Sequence, residues 1–173
     1  MLCSKTIETP IGSMMACASD AGVSLLMFAD APDLNAELEK LEKTFQCPIQ
    51  EQPHTHLDLL EIQLKDYFDG SGQNFSVPLC PVGTEFQQKV WNQLRCIGYG
   101  KTISYKQQAL TLGDLKALRA VARANGANKI PILIPCHRAV GATGSLTGYS
   151  GGLWRKRFLL DLENPQLSLH AFL

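Results

Sequence analysis

The sequence predicts an α+β protein of two units. A small N-terminal α/β domain is expected over residues 1–78, and a C-terminal helical domain with a helix-turn-helix over residues 79–173. Three observations point there. Short strand-like runs separated by turn residues open the chain and give way to helical periodicity. A proline-rich joint, Val77-Pro78-Leu79-Cys80-Pro81, then precedes text that is helical almost throughout. Charge divides at the same place. Residues 1–81 carry twelve acids against four lysines, net −8, whereas residues 82–173 carry six lysines and six arginines against four acids, net +8. Such a split suggests units with different partners, the basic one suited to a polyanion. Attraction between the two halves is the alternative explanation.

The first unit reads as strands at Thr6–Thr9, Ser13–Ser19 and Val23–Phe28, with turns at Pro10-Ile11-Gly12 and Asp20-Ala21-Gly22. Pro32-Asp33 opens a helix through Gln46, with Leu34, Leu38, Leu41 and Phe45 at helical spacing. A second helix runs from about Leu57 to Phe68, its apolar face being Leu57, Leu60, Leu64, Tyr67 and Phe68, and Gly70 follows as a stop.

In the second unit, Thr84-Glu85-Phe86-Gln87 has the form of a capping box, and Phe86, Val90, Trp91 and Leu94 make the expected buried stripe. Gly98-Tyr99-Gly100 breaks that helix, and Ser104-Tyr105-Lys106-Gln107 starts another in the same way. Asp114 is expected to cap a third helix running to Asn125, with Leu112-Gly113 as the turn of a helix-turn-helix. Leu115, Leu118, Val121 and Ala122 are its expected core face. Lys116, Arg119 and Arg123 make one basic stripe, with Ala117, Ala120 and Ala124 beside it. A basic stripe next to alanines lets a helix approach a nucleic-acid groove closely; a solvated basic face is the other reading.

With 45% hydrophobic residues, the chain can pack a core. No run of 18 apolar residues suggests a membrane span, and the start lacks a secretory pattern, so a cytoplasmic protein is expected. The six cysteines have irregular spacings without a C-x-x-C pair. Five of them (Cys3, Cys17, Cys47, Cys80 and Cys96) read as buried small hydrophobes. His54 and His56 could hold a metal with Cys3 or Cys17, although exposed histidines are the commoner case.

Ile132-Leu133-Ile134-Pro135-Cys136-His137-Arg138 is the segment that suggests chemistry. A buried strand or extended run is expected to be stopped by the proline, presenting Cys136 at its end. A free thiol titrates near 8.5, so nucleophilic work needs a neighbouring base or cation. His137 and Arg138 are close, but adjacent side chains on an extended chain point apart, which makes a water bridge between Cys136 and His137 the more natural geometry. Glu163, one of only four acids in the basic half, is the candidate to orient the imidazole. A structural Cys beside a surface His remains open on these residues alone. Five glycines between Gly141 and Gly152 could bring backbone close to a flat ligand, or could simply connect.

Pro135-Cys136-His137-Arg138 resembles the signature of the O6-alkylguanine-DNA alkyltransferases. The resemblance extends through Gly83-Thr84-x-Phe86-Gln87, Val90-Trp91, Ser104-Tyr105, Arg119-Ala120-Val121, Asn128 and Gly148-Tyr149-Ser150-Gly151-Gly152, and on to Lys156, Leu159-Leu160 and Glu163. It implies an RNase H-like first domain and a winged-helix-like second one that presents its recognition helix to the minor groove. It implies double-stranded DNA carrying O6-alkylguanine as substrate, with O4-alkylthymine beside it. The protein would be a monomer able to cluster on DNA, needing no cofactor. By resemblance, Cys136 accepts the alkyl group once, in a suicide reaction, His137 takes its proton through water, Glu163 orients His137, and Asn128 holds the turn. Arg119 fills the gap left by the flipped nucleotide, and Tyr105 pushes the 3′ phosphate. Tyr105, Lys156 and the Ser150 N–H serve the departing base. Ala120, Arg123, Arg138 and Tyr149 join the substrate- and DNA-binding set.

Some positions depart from the family pattern. Gly98 stands where proline is common, Ala122 where glycine is, and Lys129 and Glu85 where prolines are. None removes a catalytic group. The zinc ligands of some relatives do not align, since Cys17 lies too close to the Thr9-Pro10-Ile11-Gly12 turn, so no zinc is expected. A non-catalytic lesion-binding protein and a helix-turn-helix regulator are the competing readings. Cys136 argues against the first. The joint presence of Tyr105, Arg119, Asn128, Cys136, Tyr149 and Glu163 argues against the second.

Overall fold

A computed structural model describes residues 1–113 and 115–166. The chain divides into two compact units, Met1–Val82 and Gly83–Leu173.

The first unit is a four-stranded sheet in the order β3-β2-β1-β4, formed by β1 (Leu2–Ile7), β2 (Met14–Ser19), β3 (Gly22–Phe28) and β4 (Ile49–Glu51). The first three form an antiparallel meander, and β4 adds in parallel beside β1 after the helical crossover α1 (Leu34–Phe45). Leu2, Cys17, Leu25, Met27 and Leu41 form one buried cluster with Leu34, Leu38 and Phe45 against it, which is what the helical spacing predicted for α1. Helix α2 (Thr55–Phe68) buries Leu57, Leu60, Leu64 and Tyr67.

The first strand begins and ends earlier than expected. Thr9 is not a strand residue, because its hydroxyl donates to the Gly12 carbonyl (2.6 Å) and its carbonyl accepts from Gly12 N (3.1 Å), closing the turn around Pro10. Strand β4 left no trace in the sequence, being one half-buried and two exposed residues between Pro48 and Pro53. The free edge of β3 is strapped by the proline-rich segment. Val23 N donates to Pro78 O and Cys80 N to Val23 O, both at 2.8 Å, and this covers an edge that would otherwise expose its backbone groups.

Histidines 54 and 56 are engaged at the start of α2. His54 Nδ1 accepts from His56 N (3.2 Å), and His56 Nδ1 lies 3.0 Å from Ser19 O. Among the described residues, no group of three or more His, Cys, Asp or Glu side chains could hold a metal. Cys3 and Cys17 are buried as expected, but Cys47 and Cys80 are only half-buried and Cys96 is exposed. No described helix is long and apolar enough to cross a membrane.

The second unit contains α3 (Glu85–Arg95), β5 (Ile103–Ser104), α4 (Tyr105–Thr111), α5 (Leu118–Gly126), β6 (Ala139–Val140) and α6 (Leu153–Glu163). Both predicted capping boxes form, Thr84 with Gln87 and Ser104 with Gln107. Helices α4 and α5 make the helix-turn-helix, turning at Gly113, which takes φ 86°. The expected cap Asp114 lies outside the described residues. Trp91 Nε1 donates to Ala124 O (2.8 Å) and fastens α3 to α5.

Two core assignments need correction. Phe86 is 38% exposed, while Val90, Trp91 and Leu94 are buried. On the recognition helix, Leu115 and Leu118 are 46% and 39% exposed and Ala122 is also exposed. The buried face is instead Val121, Ala124 and Asn125. Leu118 and Ala122 lie on α5 itself; for Leu115 the cause is a 3-10 turn over Leu115–Ala117. Its tighter winding turns the residues before α5 away from the face that an unbroken helix would bury.

Candidate active site

Cys136 is placed by a turn, not by a strand. The run Ile130–Ile134 bends back on itself, with Ile134 N donating to Ile130 O (3.0 Å). Pro131 and Pro135 supply no N–H for a sheet ladder, which explains the departure from the expected extended run. Ile132 sits in this bend at φ 75°, a costly conformation for a β-branched residue. Asn128 brackets the bend: its Oδ1 accepts from Ile130 N (3.0 Å) and its Nδ2 donates to Ile134 O (2.8 Å). Pro135 (φ −79°, ψ 65°) is then the centre of an inverse γ-turn closed by Cys136 N to Ile134 O at 2.8 Å. A single 3-10 turn, Cys136–Arg138, follows. The amide of Asn128 also lies 3.2 Å from Cys136 Sγ.

The 3-10 turn directs the three side chains differently. His137 and Arg138 both turn to Glu163 in the last turn of α6. His137 Nε2 lies 2.7 Å from Oε1, and Arg138 donates through Nε to Oε2 (2.8 Å) and through Nη2 to Oε1 (2.9 Å). Gly100 N gives the carboxylate a further bond (3.1 Å). Burial pushes the Glu163 carboxyl up, but hydrogen bonds from His137 and Arg138 outweigh it and hold it down at about 2. An ionised carboxylate only accepts, so Nε2 of His137 carries the proton. Burial pushes the His137 pKa below its ordinary value despite the carboxylate, so the ring is neutral near pH 7. Its Nδ1 is then an unprotonated acceptor, and this atom is buried with no hydrogen-bond partner among the described residues. Burial raises the Cys136 thiol pKa, while the Asn128 hydrogen bond and the Lys156 charge pull it down. The resting thiol keeps its proton until a base takes it.

Lys156 is fully buried. Its Nζ donates to Ala139 O (2.6 Å), Thr147 O (2.8 Å) and Tyr105 Oη (3.3 Å). Burial brings its pKa down to about 8. Tyr105 in turn donates to Thr147 O (3.0 Å). The Tyr149 hydroxyl is buried without a partner among the described residues, and burial together with the nearby Cys136 pushes its pKa well up. Tyr105, Tyr149, Ser150, Gly148 and Thr147 line a cleft of ≈ 740 Å³, whose other wall is Leu118, Arg119, Ala122 and Gly126 of α5. Arg119, Ala120 and Arg123 are all exposed on that helix.

A curated relative from Methanosarcina acetivorans, a methylated-DNA–protein-cysteine methyltransferase, is 40% identical over 162 residues, covering 90% of this chain and 94% of its own. The chain belongs to that family. A family model described as the 6-O-methylguanine DNA methyltransferase DNA-binding domain matches residues 85–165. The constitutive methyltransferase of Bacillus subtilis is 38% identical over 159 residues, covering 91% of this chain and 93% of its own. The crystal structure of Mycobacterium tuberculosis O6-methylguanine methyltransferase superposes with a TM-score of 0.81 at 36% identity, covering 98% of this chain and 99% of that one. The same organism's protein in complex with DNA gives 0.81 at 37% identity over 95% and 94%. Membership makes this chain a DNA-binding repair methyltransferase, and its α+β architecture is that of the mycobacterial structures.

Cys136, His137, Glu163 and Asn128, singled out from sequence, lie together in the structure, and Tyr105, Tyr149, Ser150 and Arg119 line one cleft beside them. Arg138 departs from its expected company. It is 7% exposed, clasps Glu163 and donates to Ile97 O, so its guanidinium is engaged inside the unit. Sequence reasoning missed Gly100 N and Ile97 O, because backbone groups leave no residue-type signal. Gly100 held a clue, as a glycine directly after Tyr99. Its φ is 70°, and a Cβ there would meet Glu163 O at 2.9 Å.

Proposed function

We propose that the chain extrudes O6-alkylguanine from duplex DNA and moves the alkyl carbon onto Cys136, once per molecule. The reading rests chiefly on the unpartnered Nδ1 of a neutral His137, one residue from a buried thiol. In it, Nδ1 takes the thiol proton through a water, and Glu163 stabilises the imidazolium that results. Asn128 Nδ2 stabilises the sulfur anion. The sulfur–carbon bond forms as the carbon–O6 bond breaks, and the bonding pair leaves with guanine. Tyr105, the Lys156 ammonium and the Ser150 N–H stabilise that leaving group and supply its proton, while the imidazolium returns its own to solvent. The thioether cannot revert to a thiol by this chemistry, so the protein is consumed. Cys136 lies within the protein and a stacked base cannot reach it, which is the reason for extrusion. Arg119 enters the vacated position. O4-alkylthymine, with its alkylated exocyclic oxygen, is the second lesion this pocket would take.

The test is direct. The protein is incubated with a duplex containing O6-methylguanine, and the Cys136 peptide is weighed. One added methyl group with guanine restored is expected, and Cys136→Ser should bind the duplex but not gain mass. Transfer by Cys136→Ser would move the acceptor elsewhere, and binding without any mass gain in the natural protein would make it a lesion binder.

A further inference from the structure

Leu115 and Leu118 are large apolar side chains on the exposed side of the helix-turn-helix, and neither enters the core. They are 46% and 39% exposed. The 3-10 turn that carries Leu115 and the first turn of α5 that carries Leu118 interleave them with Lys116 and Arg119. The apolar pair is therefore continuous with the basic stripe, in the unit whose formal charge is +8 and whose family model is a DNA-binding domain. Leu118 also belongs to the wall of the ≈ 740 Å³ cleft, beside Arg119 and across from Tyr105 and Tyr149. Farther along the same wall stand only Ala122 and Gly126. The helix thus presents small residues along most of the cleft and one bulky apolar group at its N-terminal end.

Exposed leucines cost solvation when the surface is free and return it when the surface is covered. Proteins that open the minor groove insert apolar side chains beside a base step for this reason. We propose that Leu115 and Leu118 form an apolar wedge that enters the minor groove next to Arg119, Leu118 keeping the gap at the mouth of the cleft dry while the nucleotide is out. The proposal rests on the reading of α5 as the DNA-facing helix. The occupant is the floor and sugar edges of a duplex groove, since Lys116 and Arg123 are exposed on the same stretch and would draw in phosphate. The wedge adds a contact that releases no counterions, so its contribution does not depend on salt, unlike that of its neighbours.

The experiment is a salt series of equilibrium binding to an O6-methylguanine duplex and to its undamaged counterpart. The natural protein is compared with Leu118→Ala, Leu115→Ala/Leu118→Ala and the length-matched Leu118→Gln, with melting temperature as the check on folding. Affinity for the lesion duplex should fall about tenfold in the double variant at every salt concentration, with an unchanged slope of log K against log salt. Leu118→Gln should lose as much as Leu118→Ala, because the contact is apolar. Affinity within twofold of the natural protein, full retention by Leu118→Gln, or a loss that shrinks as salt rises would each overturn the wedge. If the natural protein itself fails to methylate Cys136, the function proposed above fails instead, and the binding series still reports on the leucines.

Discussion

At the scale of single residues, Glu163 organises the site. It is buried, and its carboxylate gathers bonds from His137, Arg138 and Gly100. Glu163→Gln would leave the Arg138 guanidinium buried without its counter-charge. It should cost roughly 3–5 kcal/mol of stability by denaturant titration and slow methyl transfer at least tenfold at pH 7. The pH dependence follows from the directions of the shifts. The Glu163 pKa is lower in the folded state, at about 2 against 4.5, so its stabilisation is complete above 4.5 and is lost as pH falls towards 2. The His137 pKa is also lowered by folding, so protonating it in the unfolded chain begins to erode stability as pH drops below 6.5. Urea midpoints should decline continuously from about pH 6.5 downwards in the natural protein. In Glu163→Gln the limb below 4.5 should flatten. Much of this site was legible beforehand, because a Cys, a His and one of only four acids in a basic half are informative residue types. What escaped was the local backbone. An extended run was expected, whereas the 3-10 turn and the γ-turn at Pro135 depend on two prolines and Asn128 acting together. No single residue signals that.

Among elements, the strongest local signals were the capping boxes, and both formed as read. Side-chain partners three residues apart do not depend on the rest of the fold. Ser104→Ala removes one such cap immediately before Tyr105. It should cost about 1 kcal/mol in equilibrium unfolding. It should also slow transfer more than Thr84→Ala does, since only the first cap adjoins a residue lining the cleft. Equal effects on transfer would show that α4 holds Tyr105 without its cap. The weakest signals were short strands. β4, β5 and β6 have two or three residues each, and their pairing is decided by what lies alongside. Leu115 was misplaced because helical periodicity was carried back from α5 into residues that wind as a 3-10 turn. Apolar residue type then suggested burial where the chain keeps two leucines outside.

Across the whole molecule, the formal charge of zero conceals units of opposite sign, so the pI of about 6.9 is a poor guide to DNA affinity. Binding to duplex should weaken steeply with salt. Lys106→Ala, Lys116→Ala and Arg123→Ala should each reduce the magnitude of the log K against log salt slope by about one. Isothermal or fluorescence titrations at four salt concentrations would measure this, and an unchanged slope would remove that residue from the backbone contacts. The strap across β3 bears on how the protein can be built upon. Residues 78–80 complete the edge of a sheet, and Gly22 approaches Pro78 so closely that a Cβ would lie 2.5 Å from its carbonyl oxygen. A reporter or affinity tag spliced between Val77 and Cys80 would peel that edge open, although the prolines there resemble a tether between domains. The exposed stretch at Gln73-Asn74, a few residues upstream, is the safer place for a graft.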